Sequence, residues 1–214
     1  MTRKRKGIYQ HLDAAGNVIA DERWQIIFTD DGSLIQLDDE LVRVAPFAEP
    51  RGDSLSLLLN AERQIEELSI HGLHGARVCR VSFPDADRRS AVICWQHRME
   101  VHEKSLAWGE DVELDWDSPL LKMVIVYRAH LEVGQSCQRR VWQLDALDFS
   151  PTLHTMELRR LANTQRTLGT DTVTLAHYQL GDAELWCDAD GVIHELRSPM
   201  RVYRLTATNL PLAA

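Results

Sequence analysis

The sequence predicts a mainly β fold, all-β or with one short helix, in which a long, curved antiparallel sheet forms a half-closed roll or barrel. Three observations predict it. Apolar and polar residues alternate through most of the chain, turn-forming Asp, Asn and Gly residues interrupt the alternation, and 214 residues suit one β-rich domain. No low-complexity linker or shift in composition divides the chain, so residues 1–214 are expected to form a single domain.

Hairpins are the clearest local signal. In the segment WQIIFTDDGSLIQL, Trp24, Ile26 and Phe28 share one face before a turn at residues 30–32, whose glycine supplies the positive φ that a tight turn needs. The apolar residues of 57–68 fit helical spacing as well as a hairpin, so the two interpretations compete there. Comparable turns are predicted at residues 13–16, 60–63 and 188–191.

Three unusually long strands are predicted in the middle of the chain, over residues 90–104, 122–133 and 138–149. The last two are expected to pair antiparallel, because Gly134 and Gln135 are enough for a turn between them. Strands of this length exceed the usual five or six residues and must curve. A curved sheet of about ten strands tends to close on itself, since an open one leaves long exposed edges. Further strands are predicted within residues 172–206.

The charge balance disfavours two classes of partner. Lys and Arg total 24 against 32 Asp and Glu, a net charge of −8, which opposes non-specific binding to nucleic acid or to an anionic membrane. No apolar run reaches the roughly 18 residues that a membrane span needs, so no integral membrane segment is expected. The polar N-terminal region carries no signal peptide, and the four scattered cysteines are expected to be reduced, which together predict a cytoplasmic protein.

Motifs for catalysis and for metal binding are missing from the sequence. The nine histidines do not have the spacing of a metal site, and no nucleophile motif or phosphate-binding loop occurs, so no metal, cofactor or catalytic residue is predicted. Glu113, Asp115 and Asp117 would share one solvated face of a strand. An enzyme remains an open alternative, and the loose candidates for its polar groups are His97, His130, His177 and Glu184.

The six tryptophans suggest a ligand-binding role, because an indole ring on a strand of a curved sheet can line an apolar pocket. Which face of the sheet is concave is not evident from the sequence. The aromatic residues predicted to contact a ligand are Trp95, Tyr127, Trp142 and Trp186.

Two segments in the C-terminal third carry a family resemblance. LDFSPTLHTMELRRL (147–161) and ELWCDADGVIHEL (184–196) resemble a glycolipid-binding family of bacterial proteins, whose fold is similar to that of the periplasmic lipoprotein carriers. The resemblance implies a strongly curved sheet that cups a hydrophobic cavity. The matching residues are Asp148, Pro151, Thr152, Thr155, Arg159, Arg160, Leu161, Asp190 and Gly191.

These observations predict non-enzymatic binding of a lipid, glycolipid or other amphiphilic small molecule in an apolar cavity of the sheet. Arg159 and Arg160 alternate on a strand, so one should face inward and could pair with an anionic head group. Two alternatives stay open: an enzyme, such as a hydrolase or biosynthetic accessory protein, that acts on such a ligand, or a β-rich interaction module with a filled core. The oligomeric state is not predicted.

Overall fold

The computed structural model describes residues 2–30, 33–44, 51–72, 77–85, 87–97, 99–168 and 171–209. It contains sixteen strands and one helix. The N-terminal strands are β1 (Arg3–Asp13), β2 (Val18–Phe28), β3 (Leu34–Arg43), β4 (Arg51–Leu59), β5 (Ile65–Gly72), β6 (Val78–Ser82), β7 (Ser90–His97) and β8 (Glu100–Ala107). After them come β9 (Val112–Asp115), α1 (Pro119–Ala129), β10 (Ser136–Leu144), β11 (Pro151–Arg160), β12 (Thr164–Leu168), β13 (Asp171–Leu180), β14 (Ala183–Cys187), β15 (Ile193–Arg197) and β16 (Arg201–Asn209).

The strands form a single sheet made of two halves. The order is β8-β7-β6-β5-β4-β3-β2-β1-β16-β15-β14-β13-β11-β10-β9, with β12 paired only to β13. The first half is therefore a simple meander, and it joins the second half where β1 pairs antiparallel with β16. Only β9 and β10 pair in parallel among the described strands. The predicted mainly β, half-closed sheet is confirmed, because β8 and β9 end the ladder without pairing to each other.

Three of the predicted hairpin turns are confirmed. Gly16 and Gly191 adopt φ of 85° and 82° between β1 and β2 and between β14 and β15. The disputed segment 57–68 forms the β4–β5 hairpin and not a helix. The turn predicted at residues 30–32 falls partly on residues 31 and 32, which lie outside the described residues.

The strand predicted over residues 122–133 is wrong, and so is its pairing with 138–149. This segment belongs to α1, which Ser118 caps by accepting a hydrogen bond from the Leu120 amide at 3.1 Å, with Pro119 in the first turn. Seven of its residues are buried and lie on all sides of the helix. A helix that is buried on all sides shows no amphipathic period of 3.6 residues in its sequence. Without that period, its run of Val and Ile predicts a strand.

The helix packs against both halves of the sheet. Near its N-terminus, Ser118 contacts Glu22 of β2. Near its C-terminus, the Tyr127 hydroxyl accepts from the Leu34 amide of β3 at 2.9 Å, and Arg128 donates to the Val112 carbonyl of β9 at 3.0 Å. Buried residues of the helix form part of the hydrophobic core.

The other long strands are shorter than predicted. Residues 90–104 form the β7–β8 hairpin, in which His97 pairs with Glu100. Paired residues share a face of the sheet, and His97 and Glu100 are three positions apart, so the alternation changes phase at the turn and does not continue as in one strand. The strand predicted over 138–149 ends at Leu144, because residues 145–150 turn through Phe149, whose φ is 64°.

All four cysteines are free thiols, with Cys79 and Cys187 buried and Cys94 and Cys137 half-buried. In the part of the chain that the structure describes, no helix is long and apolar enough to cross a membrane.

The C-terminus of α1 leads to a first testable prediction. His130 ends the helix in the left-handed conformation, with φ 47° and ψ 48°. A side chain costs about 1 kcal/mol there and glycine does not, so His130→Gly should raise Tm by about 3 °C. Thermal unfolding measures this, and His130→Ala is the matched control because it keeps the Cβ and the strain. Equal Tm changes for the two variants would contradict the explanation.

Candidate functional site: a cavity above a buried ionic network

A cavity of about 800 Å³ opens beside the N-terminus of α1. It follows a split in the sheet, because β11 pairs with β13 only over Leu158, Arg159 and Arg160. Before Leu158, β11 has no described strand partner on that side, and its alternate residues Thr152, His154 and Met156 line the gap. The opposite wall comes from β14, β15 and the turn into β16.

Apolar side chains line part of the cavity. Leu180 and Leu196 are buried, Met156 is half-buried, and Met200 is 77% exposed at the rim. Trp116 and Leu144 belong to the same lining and are buried in the core. The cavity therefore has an apolar wall that extends from the exposed Met200 at the rim to buried side chains in the interior.

Charged groups form the floor. Asp117 accepts hydrogen bonds from the Tyr203 hydroxyl at 2.9 Å and from Arg201, and Arg43 lies 3.3 Å away. Burial alone would raise the pKa of Asp117, but Arg201 and Arg43 outweigh it and hold that pKa below its ordinary value. The Arg201 side chain is 35% exposed and uses only Nη1 on Asp117, so its other N–H groups can reach a ligand.

The prediction that Glu113, Asp115 and Asp117 form a solvated face is wrong, because all three are buried or nearly so and each has a cationic partner. Asp115 accepts from Lys122 of α1 at 2.7 Å, and both residues line the cavity. All four residues of β9 are buried, so neither face of this strand is exposed, and α1 packs against it. Alternating acidic residues on a strand therefore do not by themselves indicate an exposed face.

The ionic network continues below the cavity. Arg43 also pairs with Asp53, which is fully buried and pairs in addition with Arg77. The Arg43 guanidinium lies over the Trp116 ring at 5.1 Å. Gly72 makes room for this arrangement, because a Cβ there would lie 3.0 Å from Arg77 Nε. One carboxylate thus holds two guanidiniums inside the sheet.

Beside this network lies a buried acid pair, Glu22 and Asp39. Ser118 Oγ is 2.5 Å from Glu22 Oε1 and 3.2 Å from Asp39 Oδ2, and His11 Nε2 is 2.7 Å from Glu22 Oε2. Burial raises the pKa of Glu22 to about 7, and burial together with the nearby Glu22 charge raises that of Asp39. Burial lowers the pKa of His11 to about 3, so this histidine is neutral.

The four predicted aromatic ligand residues are dispersed. Trp95 is half-buried and stacks on His102 with ring centroids 5.2 Å apart, while Lys104 Nζ lies 4.8 Å from the Trp142 ring. Tyr127 belongs to α1, and the Arg63 guanidinium lies over its ring. Trp186 is buried between His177, stacked at 4.7 Å, and Arg166 at 4.2 Å.

The two predicted head-group arginines lie on opposite faces of β11, as their alternation implies. Arg159 is exposed and pairs with Glu157 at 2.7 Å. Arg160 is 8% exposed, donates to the His177 carbonyl at 3.2 Å and lies over Tyr178. Neither these arginines nor the four aromatic residues are among the described residues that line the cavity, and their roles in binding stay predictions.

The loose enzyme candidates are also separated. His177 Nε2 lies 3.3 Å from Glu184 Oε1, but neither residue lines the cavity, and His130 caps α1. The His97 side chain is outside the described part of the structure. Across the described ranges, no group of three or more His, Cys, Asp or Glu residues is arranged to hold a metal ion.

Comparison with solved structures supports the fold. The chain is similar to a DUF1089 family protein from Pseudomonas aeruginosa, with 17% identity, a TM-score of 0.55, and coverage of 82% of this chain and 89% of the other. It is also similar to a β-barrel-like protein of the DUF1849 domain of unknown function from Brucella abortus, with 8% identity, a TM-score of 0.56 and 98% coverage of both chains. No protein-family model and no curated protein matches the chain.

Proposed function

We propose that this chain is a non-enzymatic binder of a small amphiphile, a lipid or glycolipid with a short apolar tail, in the cavity beside the N-terminus of α1. The observation that carries the proposal is the cavity itself, which joins an apolar wall to a charged floor. Its volume of about 800 Å³ lies within the roughly 300–1,000 Å³ of small-molecule sites. The resemblance of residues 147–161 and 184–196 to glycolipid-binding proteins supports the same ligand class.

The polar head would lie at Arg201 and Lys122, which line the cavity and pair with Asp117 and Asp115 respectively. The tail would lie along Met156, Leu180 and Met200 toward the rim. Binding is favoured over catalysis because Glu22 and Glu113, two carboxyl groups whose pKa is raised to about 7 and so suits proton transfer at neutral pH, are buried and do not line the cavity.

The test uses octyl glucoside and decanoate, each below its micellar concentration, as neutral and anionic probes in thermal-shift and calorimetric titrations. Both should raise Tm, and affinity within a fatty-acid series should rise about fourfold per CH₂, since each buried CH₂ contributes about 0.8 kcal/mol. Met156→Trp should place a bulky ring against the apolar wall and weaken both responses. Met99→Trp is the matched control, because Met99 is 91% exposed and away from the cavity.

Native mass spectrometry of freshly purified protein should also show a bound apolar adduct. Two results would overturn the proposal: no response to any amphiphile together with no adduct, or a response that Met156→Trp leaves intact. Arg201→Gln should weaken decanoate binding more than octyl glucoside binding, because it removes a cation that the neutral probe does not need.

A further inference from the structure

A second cavity, of about 520 Å³, lies at the opposite end of α1. Four arginines line it: Arg63 from the β4–β5 turn, Arg88 from the turn before β7, Arg128 from the last turn of α1, and Arg139 from β10. The chain as a whole carries a net charge of −8, so this concentration of guanidinium groups is local and opposes the overall charge.

Two of these arginines are held in place without an acidic partner. The Arg63 guanidinium lies 4.8 Å from the Tyr127 ring, and its Nη1 is 3.5 Å from the Tyr127 carbonyl. Arg88 lies 5.0 Å from the Phe83 ring and donates from Nη1 to the Ile65 carbonyl at 2.7 Å. Neither forms an ion pair with any described carboxylate. Each keeps N–H donors for a ligand while its orientation is fixed.

The same two arginines occupy backbone positions that favour glycine. The φ of Arg63 is 63° and that of Arg88 is 52°, and among the described non-glycine residues only His130 and Phe149 share this conformation. A side chain in the left-handed region is strained, and such strain is concentrated where proteins hold ligands. Arginine at both turns is not explained by local backbone geometry.

The inner wall is also electropositive. Arg128 and Arg139 share one carboxylate, Glu113, with Arg139 Nη1 at 3.8 Å from Glu113 Oε1, and the buried Nε of Arg139 has no partner. Burial raises the pKa of Glu113 to about 7, so it balances two guanidiniums only in part.

Three acids also line this cavity, Glu62, Asp87 and Glu110. All three are exposed, and Asp87 already pairs with Arg89 at 3.1 Å. Carboxylates in this position remain hydrated, so they compete weakly for the guanidinium groups behind them.

We propose that this arginine cavity binds the phosphoryl group of a small phosphorylated molecule. The forked N–H donors of a guanidinium match the spacing of phosphate oxygens. The four arginines approach from separate elements, and a phosphoryl group, with its three oxygens, can accept from more of them than a planar carboxylate can. The volume leaves room for an organic part beside the phosphoryl group, against Trp108. The site is independent of the amphiphile cavity, since α1 and the core lie between them.

The experiment titrates the protein with sodium pyrophosphate, and with citrate and sodium chloride at matched ionic strength. Pyrophosphate at a concentration 100 times its Kd should raise Tm by about 8 °C, and citrate and chloride should have little effect. Arg63→Gly and Arg88→Gly should each weaken pyrophosphate binding at least tenfold without lowering the Tm of the free protein, because glycine relieves the backbone strain. Arg89→Gly is the matched control, since the Arg89 side chain is 86% exposed and does not line the cavity.

Arg88→Lys keeps the positive charge but loses the forked N–H donors of the guanidinium, so it should also weaken pyrophosphate binding. This variant replaces Arg88→Gly in the test if the glycine variant fails to fold. Met156→Trp should leave pyrophosphate binding unchanged, which separates this site from the proposed amphiphile cavity. The proposal is overturned if pyrophosphate acts no differently from chloride, if citrate binds as tightly, or if the glycine variants bind pyrophosphate like the parent.

Discussion

Replacing Asp53 with asparagine should be among the most destabilising single changes available in this chain. Asp53 is fully buried and pairs with both Arg43 and Arg77, whose side chains are 7% and 13% exposed. Removing one partner from a buried ion pair leaves an uncompensated charge and costs about 3–5 kcal/mol. Because asparagine has nearly the same shape, the loss would reflect charge and not packing. We expect Tm to fall by roughly 10 °C.

The matched control is Asp111→Asn. Asp111 also pairs with an arginine, Arg140, through two hydrogen bonds of 2.7 and 2.8 Å, but both side chains are at least 40% exposed. An exposed pair contributes less than about 1 kcal/mol. Urea unfolding of both variants measures the difference, and similar losses for Asp53→Asn and Asp111→Asn would show that the buried network is not a major source of stability.

The second large effect concerns the pH dependence of stability. The pKa of Glu22 rises from its ordinary value of 4.5 to about 7 in the folded chain, chiefly through burial. The folded state then binds this proton more tightly than the unfolded state. The contribution of protonated Glu22 to the free energy of unfolding is fully present below pH 4.5 and is lost as the pH rises through 7. Glu22→Gln cannot ionise and therefore avoids this loss.

The stability of the parent minus that of Glu22→Gln should therefore fall by about 3 kcal/mol between pH 4 and pH 8, at about 1.4 kcal/mol per pKa unit. Taking the difference removes contributions from groups that do not contact Glu22 and that both chains share, such as Glu113. Denaturant unfolding at several pH values gives the profile.

Glu157→Gln is the control, because its stability difference from the parent should change with pH in the opposite direction. The hydrogen bond from Arg159 lowers the pKa of Glu157, so the parent should gain stability relative to this variant as the pH rises. A pH-independent difference for Glu22→Gln would mean that Glu22 titrates as an ordinary carboxylate.

The acid pair illustrates what the sequence could and could not reveal. Glu22 has the same parity on β2 as Trp24 and Ile26, and Asp39 has the same parity on β3 as Leu37. Alternation therefore predicts that both carboxylates face inward, and this signal was available. However, a charged residue on an apolar face is ordinarily taken to be solvent-exposed in spite of the alternation. Ser118, which contacts both carboxylates, is remote from them in sequence.

Other features depend on long-range geometry. Arg201 meets Asp117 across 84 positions, and no local pattern predicts that pair. The helix is hard to predict for a different reason, because Val and Ile are frequent in it while its start signal, Ser118-Pro119, is brief. The hairpins were predicted well because glycine at positive φ is a local requirement, whereas the split between β11 and β13 that opens the cavity depends on how two distant segments diverge.

The pairing of β1 with β16 has a consequence for how the molecule folds. Contacts such as Lys6 with Asn209 close a loop of about 200 residues in the middle of the sheet, so the central ladder can form only after the final strand has been synthesised. The meander from β1 to β8 consists of sequential hairpins and can assemble earlier. Until β16 arrives, β1 presents a bare edge, and a ribosome-bound nascent chain would need protection at that strand.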